Sequence, residues 1–299
     1  MILKQKGFTL IELMITLLLS TLLIAAIGKM FIDSGNSFRK QQALSYIVQD
    51  GRYIMEVLSK EFRRIGFLSN PYVINGAAED IFKESDPDVL GSGLTIGKEA
   101  FIAGEFNAAG FSGYVFDSNH LALRYQLEDK NDLGTANPDY GASPCTKDIH
   151  LTAAEVAASP FQRHLVTLSF YVKKDANQIP VLYCKAQREN LDTSGTVTSN
   201  AIELVSNVEN LLILYGVNTD LALPDIKFAN QYLFANQVTD WKQVKSIRVY
   251  LVLRSEDKHI TQKTPSYRID GRDYTVDSAN DKRIYKVFSS TISFRNQAI

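Results

Sequence analysis

The chain has 299 residues, of which 45% are hydrophobic, so it is long enough for one large domain or two small ones with a sizeable core. Its 32 basic and 33 acidic side chains give a formal net charge of −1, and without Lys4 and Lys6 the count is 30 basic against 33 acidic. Direct nucleic-acid binding is therefore not expected, because it requires clustered Lys and Arg.

The first predicted element is an apolar helix. Residues 8–27 form a run of 20 residues without Pro or Gly, and as a helix this run rises about 30 Å, close to the thickness of the hydrocarbon layer of a membrane. Lys4 and Lys6 precede the run and favour a cytoplasmic N-terminus with the C-terminal side translocated. One acid, Glu12, interrupts the run near its start.

Three interpretations of this segment remain open. It is a removable secretory signal, with Ala26-Ile27-Gly28 as a small-residue cleavage site. It is a plain membrane anchor in which Glu12 is tolerated near one end, where a charge costs less than the roughly 2.5–3.5 kcal/mol expected at the centre. Or Glu12 has a binding partner, because carboxylates inside membranes usually pair.

The residues around the acid, KGFTLIELMITLL, resemble the type IV prepilin signature: a short basic leader, Gly7, Phe8 and a carboxylate at the fifth residue of the mature chain. The resemblance implies that an inner-membrane prepilin peptidase cleaves after Gly7 and methylates the new amine of Phe8. Glu12 of one subunit would then pair with the Phe8 amine of a neighbour and direct assembly. Many major pilins have a helix-kinking Pro near the end of the apolar stretch, and its absence here favours a minor subunit.

Helical periodicity continues beyond the apolar run. Apolar residues recur at steps of three and four between Leu44 and Ile65, with Gly51 on the same face and Gly66 as a plausible stop. We therefore expect one helix over about 8–65, with its first half in lipid or a filament core and its second half packed on a sheet.

The remainder of the chain is predicted to be β-rich. The alternating or strand-like stretches are 121–127, 165–173, 181–185, 201–217, 244–255 and 285–296. The second and third of these are predicted to form a hairpin with Cys184 on its return strand. The segments expected to be irregular are 70–116, 129–160, 218–242 and 256–283. Because no stretch reads as a long crossover helix, an antiparallel sheet with short connections is expected.

The predicted fold class is α+β, a long N-terminal helix packed on an antiparallel β-sheet with long loops, as in pilins. The expected divisions are a leader at 1–7, a transmembrane or filament-core helix at 8–28, the amphipathic half of the same helix at 29–66, and a periplasmic or extracellular β-rich domain at 67–299.

The chain has two cysteines, Cys145 and Cys184, and both lie well beyond the apolar segment. In an exported domain one disulfide between them is the simplest expectation. It would close a loop of about 40 residues and stabilise the fold by roughly 3–4 kcal/mol in the chain-entropy model. The alternative is two unrelated buried thiols.

Several later stretches resemble the PilW group of minor type IV pilins. They are ALSYIVQDGRYIMEVLSKEFRRIGF, VENLLILYGVNTD, SIRVYLVLRS and YKVFSSTISFRN. The resemblance implies a subunit that joins other minor pilins and the major pilin, helps to initiate pilus assembly, and supports a large adhesin at the tip. Such a protein is first a single-pass protein of the inner membrane and later part of the pilus at the cell surface.

The alternatives belong to other classes or systems. The four histidines, His120, His150, His164 and His259, show no metal-ligand spacing, so no metal or cofactor is predicted and an anchored enzyme is the weakest alternative. A minor pseudopilin of a type II secretion system would have the same leader. A pilin-borne DNA receptor for competence is the third alternative, and the acidic balance disfavours it.

Overall fold

The computed structural model describes residues 9–67, 73–74, 77–78, 94–97, 100–106, 118–126, 143–149, 164–191, 195–219, 228–261, 264–276 and 281–295. Helix α1, Leu10–Phe62, has 53 residues and is therefore about 80 Å long. It ends three residues before the predicted Ile65, because the chain turns over 63–66. Gly66 takes a left-handed φ of 69°, and its N–H donates to the carbonyl of Arg124 at 3.0 Å. Gly66, the predicted helix stop, therefore turns the chain from the end of α1 toward the strand that contains Arg124.

The described part of the chain forms fourteen strands after the helix. They are β1 (Val73–Ile74), β2 (Ala77–Ala78), β3 (Ile102–Glu105), β4 (His120–Gln126), β5 (His164–Lys174), β6 (Pro180–Asn190), β7 (Thr196–Thr198), β8 (Ile202–Ser206), β9 (Val208–Val217), β10 (Gln231–Leu233), β11 (Val244–Arg254), β12 (Ser266–Ile269), β13 (Arg272–Thr275) and β14 (Tyr285–Ser293). Two short 3-10 helices, Ala235–Gln237 and Trp241–Gln243, lie between β10 and β11.

The strands form two main sheets in which the neighbouring strands are antiparallel. The N-terminal sheet has the order β3-β4-β5-β6-β7, with β8 also paired to β6, and the C-terminal sheet has the order β10-β9-β11-β14. Hairpins β1–β2 and β12–β13 are separate. The predicted α+β class is confirmed, but two sheets replace the single sheet expected. Alternation along a strand identifies its buried face, whereas it does not identify the strand's neighbours.

Helix α1 and both sheets enclose one hydrophobic core. Ile54, Leu58 and Phe62 of the helix are fully buried, and the ring of Phe62 meets that of Phe170 on β5 edge-on, with centroids 5.5 Å apart. Ser118 and Asn119, just before β4, join the sheets. The N–H of Asn119 donates to the carbonyl of Leu211 at 2.7 Å, and its side-chain oxygen accepts from the N–H of Ile213 at 3.0 Å.

Several expectations for the connections were wrong. The segment 256–283 was expected to be irregular, yet it contains hairpin β12–β13, in which Asp270 and Gly271 have φ values of 47° and 79°. Segments 218–242 and 70–116 contain β10 and β1 to β3. The predicted hairpin of β5 and β6 is confirmed, with Cys184 on the return strand. On β4 both faces are buried, including Arg124, whose guanidinium donates to the carbonyl of Ile96 at 3.0 Å.

Candidate assembly surface

Helix α1 begins with a capping box formed by Thr9 and Glu12. The N–H of Glu12 donates to Thr9 Oγ1 at 3.3 Å, and the N–H and the hydroxyl of Thr9 both donate to Glu12 Oε2 at 3.0 Å. This arrangement satisfies two backbone donors that a helix start leaves unpaired. Thr9 and Glu12 have the Thr-x-x-Glu spacing in front of an apolar run, which is a sequence signal for this capping box that the predictions above did not include.

The apolar half of α1 is exposed throughout. Its large hydrophobic side chains between Leu10 and Ile27 have exposed fractions of 53% to 79%. The hydroxyls within it are satisfied by the helix itself, as when Ser20 donates to the carbonyl of Thr16 at 2.7 Å. Among the described residues this is the one helix long and apolar enough to cross a membrane. So large an apolar surface requires lipid or other protein to cover it.

Beyond the apolar run, α1 presents an aromatic stripe formed by Phe31, Phe38, Tyr46 and Tyr53. Their exposed fractions are 81%, 66%, 59% and 49%. Spacings of seven, eight and seven residues place the four side chains within an arc of about 80° on a helix with 100° per residue. The buried residues of the same helix, such as Ile54, lie outside this arc, and Tyr46 also lines a groove between the helix and the domain.

At Gly51, α1 lies directly against the C-terminal sheet. The ring of Phe288 on β14 occupies the space that a Cβ at residue 51 would fill. A helix-interior glycine costs about 1 kcal/mol relative to alanine, and here it admits an aromatic ring against the helix backbone. The glycine that the sequence analysis placed on the apolar face is therefore the site where the helix docks.

A buried acid lies near the C-terminal end of α1. Glu61 is fully buried, the hydroxyl of Tyr125 donates to its Oε2 at 3.5 Å, and the hydroxyl of Ser143 also hydrogen-bonds to it. Burial raises the pKa of the Glu61 carboxyl, while the nearby Arg64 guanidinium acts in the opposite direction. This burial could not be predicted from the periodicity, because residue 61 lies at the border between the two faces of the helix.

The predicted disulfide joins Cys145 to Cys184, with Cα atoms 5.7 Å apart. Both residues are fully buried in the main core. The bond fixes the turn over 143–149 to β6, and Cys145 donates its N–H to the hydroxyl oxygen of Ser143 at 3.2 Å. The disulfide thus holds in place one of the groups that contact Glu61.

No group of three or more His, Cys, Asp and Glu side chains suited to a metal ion occurs among the described residues. His120 lies next to Ser169, with Nε2 and Oγ 2.7 Å apart, and both residues are buried. Burial lowers the pKa of His120 to about 4. This neutral pair packs inside the N-terminal sheet and is not a surface site.

A groove of about 520 Å3 runs beside the helix at the level where the domain begins. Helix residues from Arg39 to Asp50 line one side, and residues around Asn207 and Arg254–Asp257 line the other. Acidic and basic side chains are mixed along it, so its charge does not select one kind of ligand.

Comparison with known families matches both ends of the chain. The prokaryotic N-terminal methylation motif matches residues 2–28, and the family of the type IV pilus-assembly protein W, PilW, matches residues 169–296. The resemblance to the PilW group that the sequence predicts is therefore confirmed over residues 169–296, and the prepilin-like N-terminus is confirmed over residues 2–28. No curated protein and no solved structure matches it.

The two matches cover different parts of the candidate assembly surface. The methylation motif spans Gly7, Phe8 and Glu12, of which Gly7 and Phe8 lie outside the described residues. The PilW match extends from within β5 to the end of β14, and therefore includes Cys184 and Phe288. The exposed apolar helix and the motif together fit a membrane-anchored pilin with a role in pilus assembly. Processing at Gly7 and Phe8 and an assembly role for Glu12 stay predictions.

Proposed function

We propose that this protein is a minor pilin that helps to initiate type IV pilus assembly. It is inserted in the inner membrane through residues 8–28, cleaved after Gly7 by prepilin peptidase and methylated at Phe8. It then joins other minor pilins and the major pilin in a tip complex that supports a large adhesin.

The observation that supports this proposal best is the character of the first half of α1. It is apolar, exposed on all sides and followed by the exposed aromatic stripe. A surface of this kind suits a helix that exchanges lipid for the helices of other subunits.

The capping box refines the proposed action of Glu12. Both donors of Thr9 bind the same carboxylate oxygen, Oε2. Within one subunit, Glu12 therefore stabilises the start of its own helix. In the proposed assembly the carboxylate also attracts the Phe8 amine of a neighbour, since pairing offsets part of the cost of placing each charge in lipid.

Three substitutions separate these two actions. Glu12→Gln keeps an acceptor for Thr9 but removes the charge, and Thr9→Ala keeps the charge but removes the side-chain cap. Glu12→Ala removes the charge and both bonds from Thr9 to the carboxylate. We expect all three proteins to be inserted and cleaved. Glu12→Gln and Glu12→Ala should be at least tenfold depleted from sheared pili, whereas Thr9→Ala, which loses about 1 kcal/mol of helix capping, should be incorporated.

The measurement is quantitative immunoblotting of pili and membranes, with N-terminal mass analysis of the membrane-bound protein. Normal incorporation of Glu12→Ala contradicts the assembly role of the charge. A mature protein that starts at Lys29 contradicts the whole proposal, because the segment would then be an ordinary signal peptide.

The tip position rests on the size of the β-rich domain. Two sheets and two separate hairpins follow the helix, and such a domain suits the end of a filament better than a repeating shaft, where every face must pack against a copy. Labelled protein distributed evenly along pili contradicts this placement.

A further inference from the structure

Strand β14 is the longest exposed edge of either sheet. It is the last strand of the C-terminal sheet, and β11 pairs with all nine of its residues on one side. Among the described residues, no backbone hydrogen bond reaches its other side. The other strands at sheet edges, β3, β7, β8 and β10, have only three to five residues.

The register identifies which backbone groups face outward. The N–H of Phe294 donates to the carbonyl of Lys245 at 3.0 Å, and the N–H of Ser255 donates to the carbonyl of Ile284 at 2.8 Å. The ladder between these two bonds has no bulge, so the even-numbered residues of β14 bond to β11. The N–H and C=O groups of Val287, Ser289 and Thr291 therefore point to the free edge.

Hairpin β12–β13 packs near the start of β14, where the ring of Tyr267 stacks on that of Tyr285 with centroids 5.8 Å apart. Beyond this contact the edge lacks the features by which proteins usually block one. Residues 285–293 contain no Pro, no bulge and a single charge, Lys286. Ser289, Thr291 and Ser293 are exposed and small, so they leave the backbone accessible. A regular, unblocked edge of this length is a template for another strand. By contrast, the part of β9 that extends beyond β10 is occupied by Ser118 and Asn119.

A strand from a second copy of this chain does not fit at the free edge of β14. Two identical edges pair antiparallel about a two-fold axis normal to the sheet, and that axis reverses every direction in the plane of the sheet. Helix α1 packs along this sheet, with Phe288 of β14 against Gly51. Two copies paired in this way would direct their N-terminal helices oppositely, so both could not enter one membrane from the same side.

We propose that β14 accepts an extended strand of a different protein, held by backbone hydrogen bonds to Val287, Ser289 and Thr291. From Tyr285 to Arg295 the chain has two basic side chains, Lys286 and Arg295, and no acidic one. The complementary strand is therefore about seven to nine residues long, neutral at its centre and acidic rather than basic at its ends. That this partner is another pilus subunit rests on the proposed function; strand addition itself does not.

The test compares proline with alanine at the outward positions, in the full-length protein in its native membrane. Ser289→Pro and Thr291→Pro each remove an outward N–H without removing a bond to β11, whereas Ser289→Ala and Thr291→Ala keep it. A photo-reactive amino acid replaces the exposed Ser293 in every variant. We expect one discrete cross-link to another protein, unchanged in the alanine variants and at least tenfold weaker in the proline variants.

Mass spectrometry of the cross-linked peptide then identifies the partner segment. Equal cross-linking of the proline and alanine variants overturns the proposal, because the backbone would not be involved. A cross-link between two copies of this chain overturns the choice of partner. Both cysteines are fully buried, so resistance of the Cys145–Cys184 bond to brief mild reduction, measured by alkylation of released thiols, reports that each variant is folded.

Amide hydrogen exchange gives a second measurement that needs no proline variant. The amides of residues 288, 290 and 292 should exchange slowly in all states. Those of 287, 289 and 291 should become slow only in the membrane complex, and rapid exchange there overturns the proposal. Missing cleavage at Gly7 with an intact cross-link would contradict the proposed function and leave strand addition standing.

Discussion

Glu12 and Glu61 lie on the same helix, and each carboxylate is bound by hydroxyl groups of its own chain. Glu12 is exposed at the start of α1 and accepts from Thr9, whereas Glu61 is buried near its end between Tyr125 and Ser143. Solvation therefore affects them differently: exposure leaves Glu12 open to a further partner, and burial makes the charged form of Glu61 costly.

The pH dependence of stability should reveal the buried acid. Above the ordinary pKa of 4.5 the unfolded chain releases the Glu61 proton, while the folded protein still holds it because its pKa is raised. The contribution of this group to the free energy of unfolding is thus largest below pH 4.5 and falls as pH rises toward the folded pKa. Lys60 and Arg64 limit this effect, because both lower the pKa.

Glu61→Gln should accordingly be more stable than the parent protein at pH 7 and equal to it near pH 4. The side-chain amide that this substitution introduces can still accept the hydrogen bond from Tyr125, and it does not titrate in this pH range. Urea unfolding of both proteins across this range measures the difference. Glu56→Gln, on the exposed side of α1, is the matched control and should change stability by less than about 0.5 kcal/mol. A Glu61→Gln difference that is the same at both pH values would contradict this account.

At the scale of elements, the contact between α1 and β14 depends on one missing side chain. Alanine normally stabilises a helix interior by about 1 kcal/mol relative to glycine. At residue 51 the added methyl group would collide with the ring of Phe288. We expect Gly51→Ala to destabilise the domain by about 1–3 kcal/mol, as overpacking does.

A double-mutant cycle isolates this contact. In a Phe288→Ala background the space above residue 51 is open, so Gly51→Ala should become neutral or stabilising by up to about 1 kcal/mol. The measurement is the free energy of unfolding of the four proteins in urea. If Gly51→Ala destabilises equally in both backgrounds, the helix and the strand do not interact through this ring.

The elements that could be predicted from the sequence are those whose periodic pattern continues over many residues. The helical steps from Leu44 to Ile65 and the alternation in β5, β6, β11 and β14 are set by burial of one face. The predicted ends lie within three residues of the observed ones, except that β6 continues five residues beyond the predicted Lys185. Hairpin β12–β13 was missed although Asp270-Gly271 is a strong two-residue turn signal, because its flanking strands have only four residues each and are mostly polar.

Features that depend on distant contacts could not be predicted. The collision partner of Gly51 lies 237 positions away in the chain, at Phe288, and the burial of Glu61 depends on β4 and on the turn held by the disulfide. The cysteine pair is an exception, since two cysteines in an exported domain leave one pairing. The number of cysteines limited the possible disulfides to one, whereas the Gly51–Phe288 contact and the burial of Glu61 are determined by the packing of distant elements.

At the scale of the whole molecule, α1 belongs to two different environments. From Thr9 to Gln42 every residue is exposed, and the first fully buried residue is Ile47. The domain therefore gains its stability from the helix only beyond about residue 43. The preceding part of the helix is available for lipid or for other subunits.

Truncation should locate this boundary. Proteins lacking residues 1–35 or 1–40 should have free energies of unfolding within about 0.5 kcal/mol of each other, because no buried contact lies between their starting points. A protein lacking residues 1–51 loses the buried side chain of Ile47 and the helix backbone that contacts the ring of Phe288. Burial of one aliphatic side chain of this size stabilises a fold by about 1.5–3 kcal/mol. This shortest protein should therefore be less stable than the other two by at least about 2 kcal/mol. Urea unfolding of the three purified domains, each with the Cys145–Cys184 bond intact, measures these differences. If the free energy of unfolding falls gradually across all three proteins, the exposed part of α1 also stabilises the domain. If it falls only between the proteins that lack residues 1–40 and 1–51, the exposed part of α1 serves anchoring and assembly alone.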